Sequence, residues 1–395
     1  MNRARYGAAV AAVALLVATG PASAADPVTI GLDLEFSGGP YVLLAHEVAN
    51  GLAMAIADKG GAVDGRTITI IDGDNQHKPD IALSVAKKLV YGDRVDMLVG
   101  PIGSGVIKAI RDFAVTAKTP LIVPNAGDNE ITGVDCNFWV TRTSFSNDQV
   151  VRDMGPWLVK RGLKRVALVA FDYAAGHQQM DGFRRTFTAA GGTIVNEQYP
   201  PFGPISDFGP YLTKIKEAHP DAVFTFFAGP PATAFVKQFT EFGLKKSIKL
   251  TGPGWIVSPL NLPSEGADAV GVLGILNYVP AIDTPANRRF QSEFQAKYHR
   301  PGSEFAAQGY DTGLLIVAAL EATHGKTANK GDLIRAFHEV KVDGTRGELR
   351  IDRRTNNIIQ NLYIYEVVDQ GGKPSFHVIG TIPQVQDPPN GCELG

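Results

Sequence analysis

The chain has 395 residues, 44% of them hydrophobic and 20% charged, with a formal net charge of −2. So even a balance gives no basic footprint for nucleic acid. Beyond the first residues the most apolar helix candidate, 314–320, is far too short to span a bilayer.

Arg3 and Arg5 form a basic start, 8–18 an apolar run, and Ala22-Ser23-Ala24 a small-residue cleavage signal. This pattern predicts a secretory leader over 1–24 and a mature protein released outside the cytoplasmic membrane. No cysteine follows the cut, so a lipid anchor is not expected. The leader carries two arginines and no acid, so its removal takes the net charge from −2 to −4. Residues 25–395 remain, more than the about 250 to 300 residues over which one core usually extends, and two domains are expected. In an oxidising compartment Cys136 and Cys392 could be bridged, but sequence does not say whether their backbones approach closely enough.

The body alternates strand and helix signals. Strands are expected at 28–34, 67–71, 95–99 and 121–123, with helices at 44–57 and 81–90 between the first three. Leu44, Val48, Leu52 and Ile56 share one helix face, and Pro79 and Asp80 open the second helix. A second block repeats the grammar: helices at 150–160, 177–190 and 232–242, with strands at 165–171, 193–198 and 222–227. Such βαβα order implies parallel sheets covered by helices on both faces. The last third offers helices at 285–298, 305–323 and 331–340, then antiparallel strands at 347–352 and 358–368. Those helices need a sheet to cover, so the chain is expected to return to the first domain, crossing near 142–147, 276–283 and 350–357.

Two strands end in loops stripped of bulk. The strand 95–99 runs into Gly100-Pro101-Ile102-Gly103-Ser104-Gly105, and 121–123 into Pro124-Asn125-Ala126-Gly127. Such loops expose backbone N–H groups and a hydroxyl, which suits an anion at a helix N-terminus. They can equally be plain tight turns. Two of them at the ends of neighbouring strands, facing the crevice where open α/β sheets bind ligands, favour a carboxylate site.

The order and spacing of the leader, Glu35-Phe36-Ser37-Gly38, Val99-Gly100-Pro101-Ile102-Gly103-Ser104, Pro124-Asn125-Ala126, 172–176 and Tyr310-Asp311 resemble the branched-chain amino-acid class of periplasmic substrate-binding proteins of ABC transporters, across essentially the whole mature chain. The resemblance implies a type I two-lobed α/β receptor, each lobe a mostly parallel sheet flanked by helices. A hinge of three crossovers joins the lobes, with one at 25–143 plus 279–353 and the other at 144–278 plus 354–395. It further implies a periplasmic monomer without cofactor that delivers a small carboxylate to membrane permease subunits. In that family a serine in the first loop and main-chain N–H groups of the second hold the carboxylate, which maps here to Ser104, with Gly103 beside it, and to Ala126 and Gly127.

Departures narrow the ligand. Amino-acid binders of the class carry an acid in a Gly-Pro-Glu-Gly-like stretch, whereas this chain has Gly252-Pro253-Gly254-Trp255. An ammonium buried without a counter-ion costs several kcal/mol, which argues against an α-amino acid. Ala175 stands before Gly176 where the family often has tyrosine, so the pocket should be roomier there. Phe36, Tyr41, Tyr173, Trp255 and Phe227 are candidate walls, and flat apolar walls with one anionic grip suit a benzoate or phenylpropenoate. Strand alternation assigns most of Phe171, Phe226 and Phe227 to the core. Asp172 is expected to receive a ligand hydroxyl or to cap the helix after it. Glu35 and His46 are expected to be solvated, Tyr310 and Asp311 to reach the ligand or steady the closed form, and Gln308 to act more weakly in the same way.

Other readings stay open: an aliphatic amino acid paired by Asp172 or Glu35, a ligand-sensing module, or an exported hydrolase using Ser104. Ser104 is not in a Gly-x-Ser-x-Gly elbow, the eight histidines show no metal spacing, and no Gly-x-x-x-x-Gly-Lys-Ser/Thr loop occurs. Asp72 and Asp74 mimic the start of a calcium loop without the rest of it.

Overall fold

The computed structural model describes residues 26–203 and 205–394; the leader expected over 1–24 lies outside the described residues. β1 (Val28–Leu34) leads into α1 (Val42–Asp58), and the small hairpin strand β2 (Ala62–Val63) precedes β3 (Arg66–Asp74). Then follow α2 (Pro79–Lys87), β4 (Met97–Val99), α3 (Ile107–Thr116), β5 (Leu121–Val123) and β6 (Val140–Arg142). These strands form one sheet in the order β2-β3-β1-β4-β5-β6, parallel except for the β2–β3 hairpin. Spatial order reverses between β1 and β4, so a crevice opens at their carboxyl ends, where the first small-residue loop lies.

The second block runs α4 (Met154–Lys160), β7 (Arg165–Ala170), α5 (Ala174–Ala189), β8 (Thr193–Gln198), α6 (Gly209–Glu217), β9 (Ala222–Phe226), α7 (Pro230–Glu241), β10 (Lys249–Pro253), α8 (Leu262–Glu265) and β11 (Leu273–Leu276). Helices α9 (Pro285–Tyr298), α10 (Glu304–Ala322) and α11 (Lys330–Glu339) precede β12 (Lys341–Gly344), β13 (Gly347–Ile351), β14 (Ile358–Asp369) and β15 (Pro374–Val385). The second sheet is ordered β12-β13-β14-β11-β10-β9-β7-β8, with β15 also on β14. Its β7–β11 part is parallel, as the alternating pattern requires, while β14 joins it antiparallel to β11.

Some boundaries differ from expectation. The helix expected from 150 begins only at Met154, because 148–153 is a series of turns and Pro156 is tolerated only within the first helical turn. α5 starts at Ala174, so Asp172 lies outside it, and Tyr173 occupies the N-cap position without a side-chain cap bond. α10 meets α1 so closely that a Cβ on Gly51 would lie 2.0 Å from Ala306 O, and one on Gly309 2.0 Å from Val48 O. The return of the chain to the first sheet is therefore sealed backbone against backbone.

Where the chain crosses between the sheets, a buried polar network takes the place of apolar packing. Asp311 and Arg346 are both fully buried and joined at 2.8 Å. Arg346 also donates to Thr143 O (2.7 Å), Ser144 O (3.2 Å) and Gln360 Oε1 (2.8 Å). Gln360 and Asn277 each donate to Ser144 O, at 2.6 and 3.1 Å, which ties the segments 142–147 and 276–283 to β14 at one carbonyl. Asp311 thus serves the hinge. Cys136 and Cys392 are bonded, with Cα atoms 5.5 Å apart, and fasten the C-terminal segment to the loop before β6.

Candidate functional site

Beyond β4 the chain turns through Gly100, whose φ is +150° and where a Cβ would lie 2.0 Å from Asp33 O, so glycine alone fits. Glu35, just after β1, is fully buried, and its carboxylate accepts from the N–H groups of Ile102 (3.0 Å) and Gly103 (2.9 Å). It is therefore not the solvated residue expected: two buried loop donors need acceptors, and Glu35 supplies both. The Ser104 hydroxyl and the N–H groups of Ser104 and Gly105 enter no hydrogen bond among the described residues, and α3 begins two residues further on. A cluster of spare donors at a helix start is a place for negative charge.

The second loop contributes one donor where two were expected. The Ala126 N–H is taken by Pro101 O at 3.2 Å, so this residue is occupied in joining the two loops. The Gly127 N–H has no acceptor among the described residues. A Cβ at 127 would come within 2.5 Å of Asn147 Oδ1 and 2.6 Å of Phe145 Cε2, so the close approach of backbone to cavity there depends on glycine.

Between the two sheets lies a cavity of about 430 Å³ including its mouth. Of the predicted residues, Gly103, Ser104, Gly127, Tyr41, Tyr173 and Trp255 line it. None of the lining residues is Asp, Glu, Lys or Arg. Trp255 is 4% exposed and packs on Phe145 and Phe226, with centroids 5.1 and 5.4 Å away, while its Nε1 has no hydrogen-bond partner. Tyr173 stacks on Phe202 at 4.5 Å, and Phe202 in turn lies 6.5 Å from Tyr41, so rings from both halves meet across the crevice. Burial pushes the Tyr41 phenol up to about 12 and raises that of Tyr173 well above its ordinary value, which keeps both as neutral hydroxyls. Ala175 lines the cavity too, as the missing tyrosine bulk implied.

Four other candidates lie elsewhere. Phe227 is fully buried against Phe208 and Phe235, because it follows Phe226 by one residue and takes the opposite side of the sheet. Phe36 packs beside His46 at 5.2 Å. Tyr310 turns away on α10 to donate to Asp58 Oδ2 at 2.8 Å and to pack on Phe290. Asp172 neither caps α5 nor enters the cavity; it is exposed and 2.8 Å from His177 Nε2. Gln308 acts one step back, accepting from the Asn125 amide at 2.6 Å and so holding a cavity residue in place.

Sequence reasoning missed Phe145, Phe305, Asn147 and Gln179, all of which line the cavity, as do Phe226, assigned above to the core, and Asn125 of the second small-residue loop. Gln179 could have been found: it lies one helical turn after Ala175, on the face that Ala175 defines. Phe145, Asn125 and Asn147 sit in crossovers or loops with no periodic signal, whereas Phe226 ends β9 and Phe305 lies in the first turn of α10. A second concavity, beside β12 and β13, is edged by cations already paired, Arg353 with Glu339, Arg354 with Asp352, and Lys341 and Arg350 with Glu348. Among the described residues there is no group of three or more metal-binding side chains, and no helix is long and apolar enough to cross a membrane.

Two mostly parallel sheets, three crossovers and one cavity between them define a two-lobed receptor for a small solute. A family model for periplasmic binding proteins matches residues 27–373, and the chain belongs to this family of ABC-transporter solute-binding proteins. Among curated relatives it is 30% identical over 364 residues to Leu/Ile/Val-binding protein homolog 6 of Brucella melitensis, covering 91% of this chain and 92% of that one. Solved structures include an ABC-transporter solute-binding protein from R. palustris in complex with benzoate (34% identity, TM-score 0.86, covering 93% of this chain and all of that one). Another, from Rhodopseudomonas palustris BisB5, is in complex with 3,4-dihydroxybenzoic acid (33% identity, TM-score 0.86, 92% and 99% covered).

Proposed function

We propose that this protein is a periplasmic receptor that captures an aromatic carboxylate and presents it to an ABC permease, its lobes (25–143 with 279–353, and 144–278 with 354–395) closing over the ligand. The observation that carries the reading is the lining of the cavity: spare donors at one end, largely aromatic walls, and no Asp, Glu, His, Lys or Arg. A carboxylate held by the Ser104 hydroxyl and the N–H groups of Ser104 and Gly127 gains roughly 1.5 to 3 kcal/mol per charged hydrogen bond, enough to fix its orientation. A ligand ammonium would be desolvated beside Trp255 with no carboxylate to meet it. The solved relatives that hold benzoate and 3,4-dihydroxybenzoic acid support the same class of ligand, whereas the curated relatives' names point to aliphatic amino acids.

A thermal-shift panel separates the two, because a ligand that binds only the folded state raises its melting temperature by mass action. Benzoates and cinnamates are expected to raise it and leucine and valine to leave it in place; the reverse pattern refutes the aromatic reading.

A further inference from the structure

The direction of hydrogen bonding at one wall of the cavity is set by groups outside it. A carboxylate oxygen accepts, so the Gln178 amide turns its NH2 toward Asp128, and Gln178 Nε2 lies 2.7 Å from Asp128 Oδ1. The Asn129 backbone N–H, which can only donate, meets the other end of the same amide, Gln178 Oε1, at 3.1 Å. Two one-way partners therefore fix this amide's orientation. Gln178 Oε1 must then receive the NH2 of Asn147, at 2.8 Å, which leaves Asn147 Oδ1 facing the NH2 of Gln179, at 3.2 Å. Gln179 is 1% exposed, and because Asn147 Oδ1 can only accept, the Gln179 NH2 must face it and its carbonyl is left over at the end of the relay. Gln179 Oε1 is buried, belongs to a residue lining the cavity, and has no partner in the protein.

Resting on the proposed function, we infer that Gln179 is a specificity determinant that demands a hydrogen-bond donor from the ligand, so that the preferred ligand is a ring-hydroxylated aromatic carboxylate and not an unsubstituted one. The relay polarises the wall as an acceptor. A ligand hydroxyl satisfies it, while an unsubstituted ring leaves a desolvated carbonyl unpaired, which is the more costly arrangement. Asp128 and Asn129 follow the Gly127 loop while Gln178 and Gln179 lie on α5, so the acceptor is set only when the two halves of the crevice are together.

The test compares affinities of the intact protein for benzoate, the three monohydroxybenzoates and their methyl ethers by calorimetry. The ethers keep the oxygen and lose only the proton, and benzoate and ether bracket the hydroxyl in volume. At least one hydroxybenzoate is expected to bind tenfold or more tightly than both benzoate and its own ether, and Gln179→Met, which keeps side-chain length but removes the acceptor, is expected to reduce that ratio below threefold. Benzoate or the ethers binding as tightly as every hydroxybenzoate to the unaltered protein overturns the inference while leaving the aromatic reading intact. A ratio that survives in Gln179→Met overturns it as well. Failure of all these acids to bind removes this inference, and failure of the cinnamates as well removes the aromatic reading with it. The comparison on the unaltered protein decides even where the variant does not fold.

Discussion

Ser104→Ala probes the anion grip at its most exposed point. The hydroxyl makes no hydrogen bond within the described protein, so its removal leaves no buried group unpaired and should shift the ligand-free melting free energy by no more than about 0.5 kcal/mol. With a carboxylate bound, the same change deletes one charged hydrogen bond of roughly 1.5 to 3 kcal/mol, equivalent to about 10- to 150-fold in Kd. The backbone donors of Ser104 and Gly127 remain, so binding is weakened and not abolished. Calorimetric titration of the variant with the acid that most raises the melting temperature reads the effect directly, with quenching of tryptophan fluorescence as a second readout because Trp255 lines the cavity. An unchanged Kd would place the carboxylate elsewhere and refute the assignment of the loop.

Gly127→Ala should lower affinity further than Ser104→Ala, since its Cβ would meet Asn147 Oδ1 at 2.5 Å and Phe145 Cε2 at 2.6 Å; titration of the two variants side by side checks the order. Asp311→Ala leaves the Arg346 guanidinium buried without its counter-ion and should cost about 3 to 5 kcal/mol in denaturant unfolding, more than a change at any exposed ion pair. Burial pushes the Glu304 carboxyl up to about 7, against the pull of its Ser258 hydrogen bond, so the folded state holds a proton that the unfolded chain releases near 4.5. The stability linked to that proton is complete below about 4.5 and lost as pH rises through about 7. Glu304→Gln should therefore improve stability at pH 8 relative to pH 5 by up to about 3 kcal/mol, read from melts at the two pH values. The Cys136–Cys392 bond closes a loop of 256 residues, for which chain entropy gives about 5 kcal/mol, and reduction should lower the melting temperature accordingly.

The alternating grammar of the chain was legible because parallel strands buried on both faces read as short apolar runs, and Val28–Leu34 and the helix face from Leu44 to Ile56 show it plainly. The strand-end loops were legible too, since Gly100 and Gly127 occupy places that no side chain fits. Parity was not: with Phe226 and Phe227 adjacent, sequence offers no means of telling which faces the cavity. Helical phase failed at Tyr310 for a related reason, because α10 is buried nearly all round and carries no polar face to set its rotation. Glu35 looked like a surface acid because its partners are backbone N–H groups 67 and 68 residues away, which no local pattern records. The polar relay through Gln178 and Asn147 is equally non-local.

The absence of any carboxylate among the residues that line the cavity is tested most directly by adding an ammonium to an otherwise identical ligand. Titration with 3-phenylpropanoate and with phenylalanine compares one carbon skeleton with and without that charge, and an unpaired buried ammonium costs several kcal/mol. At least a hundredfold preference for the desamino acid is expected; phenylalanine binding as tightly or more tightly would contradict it.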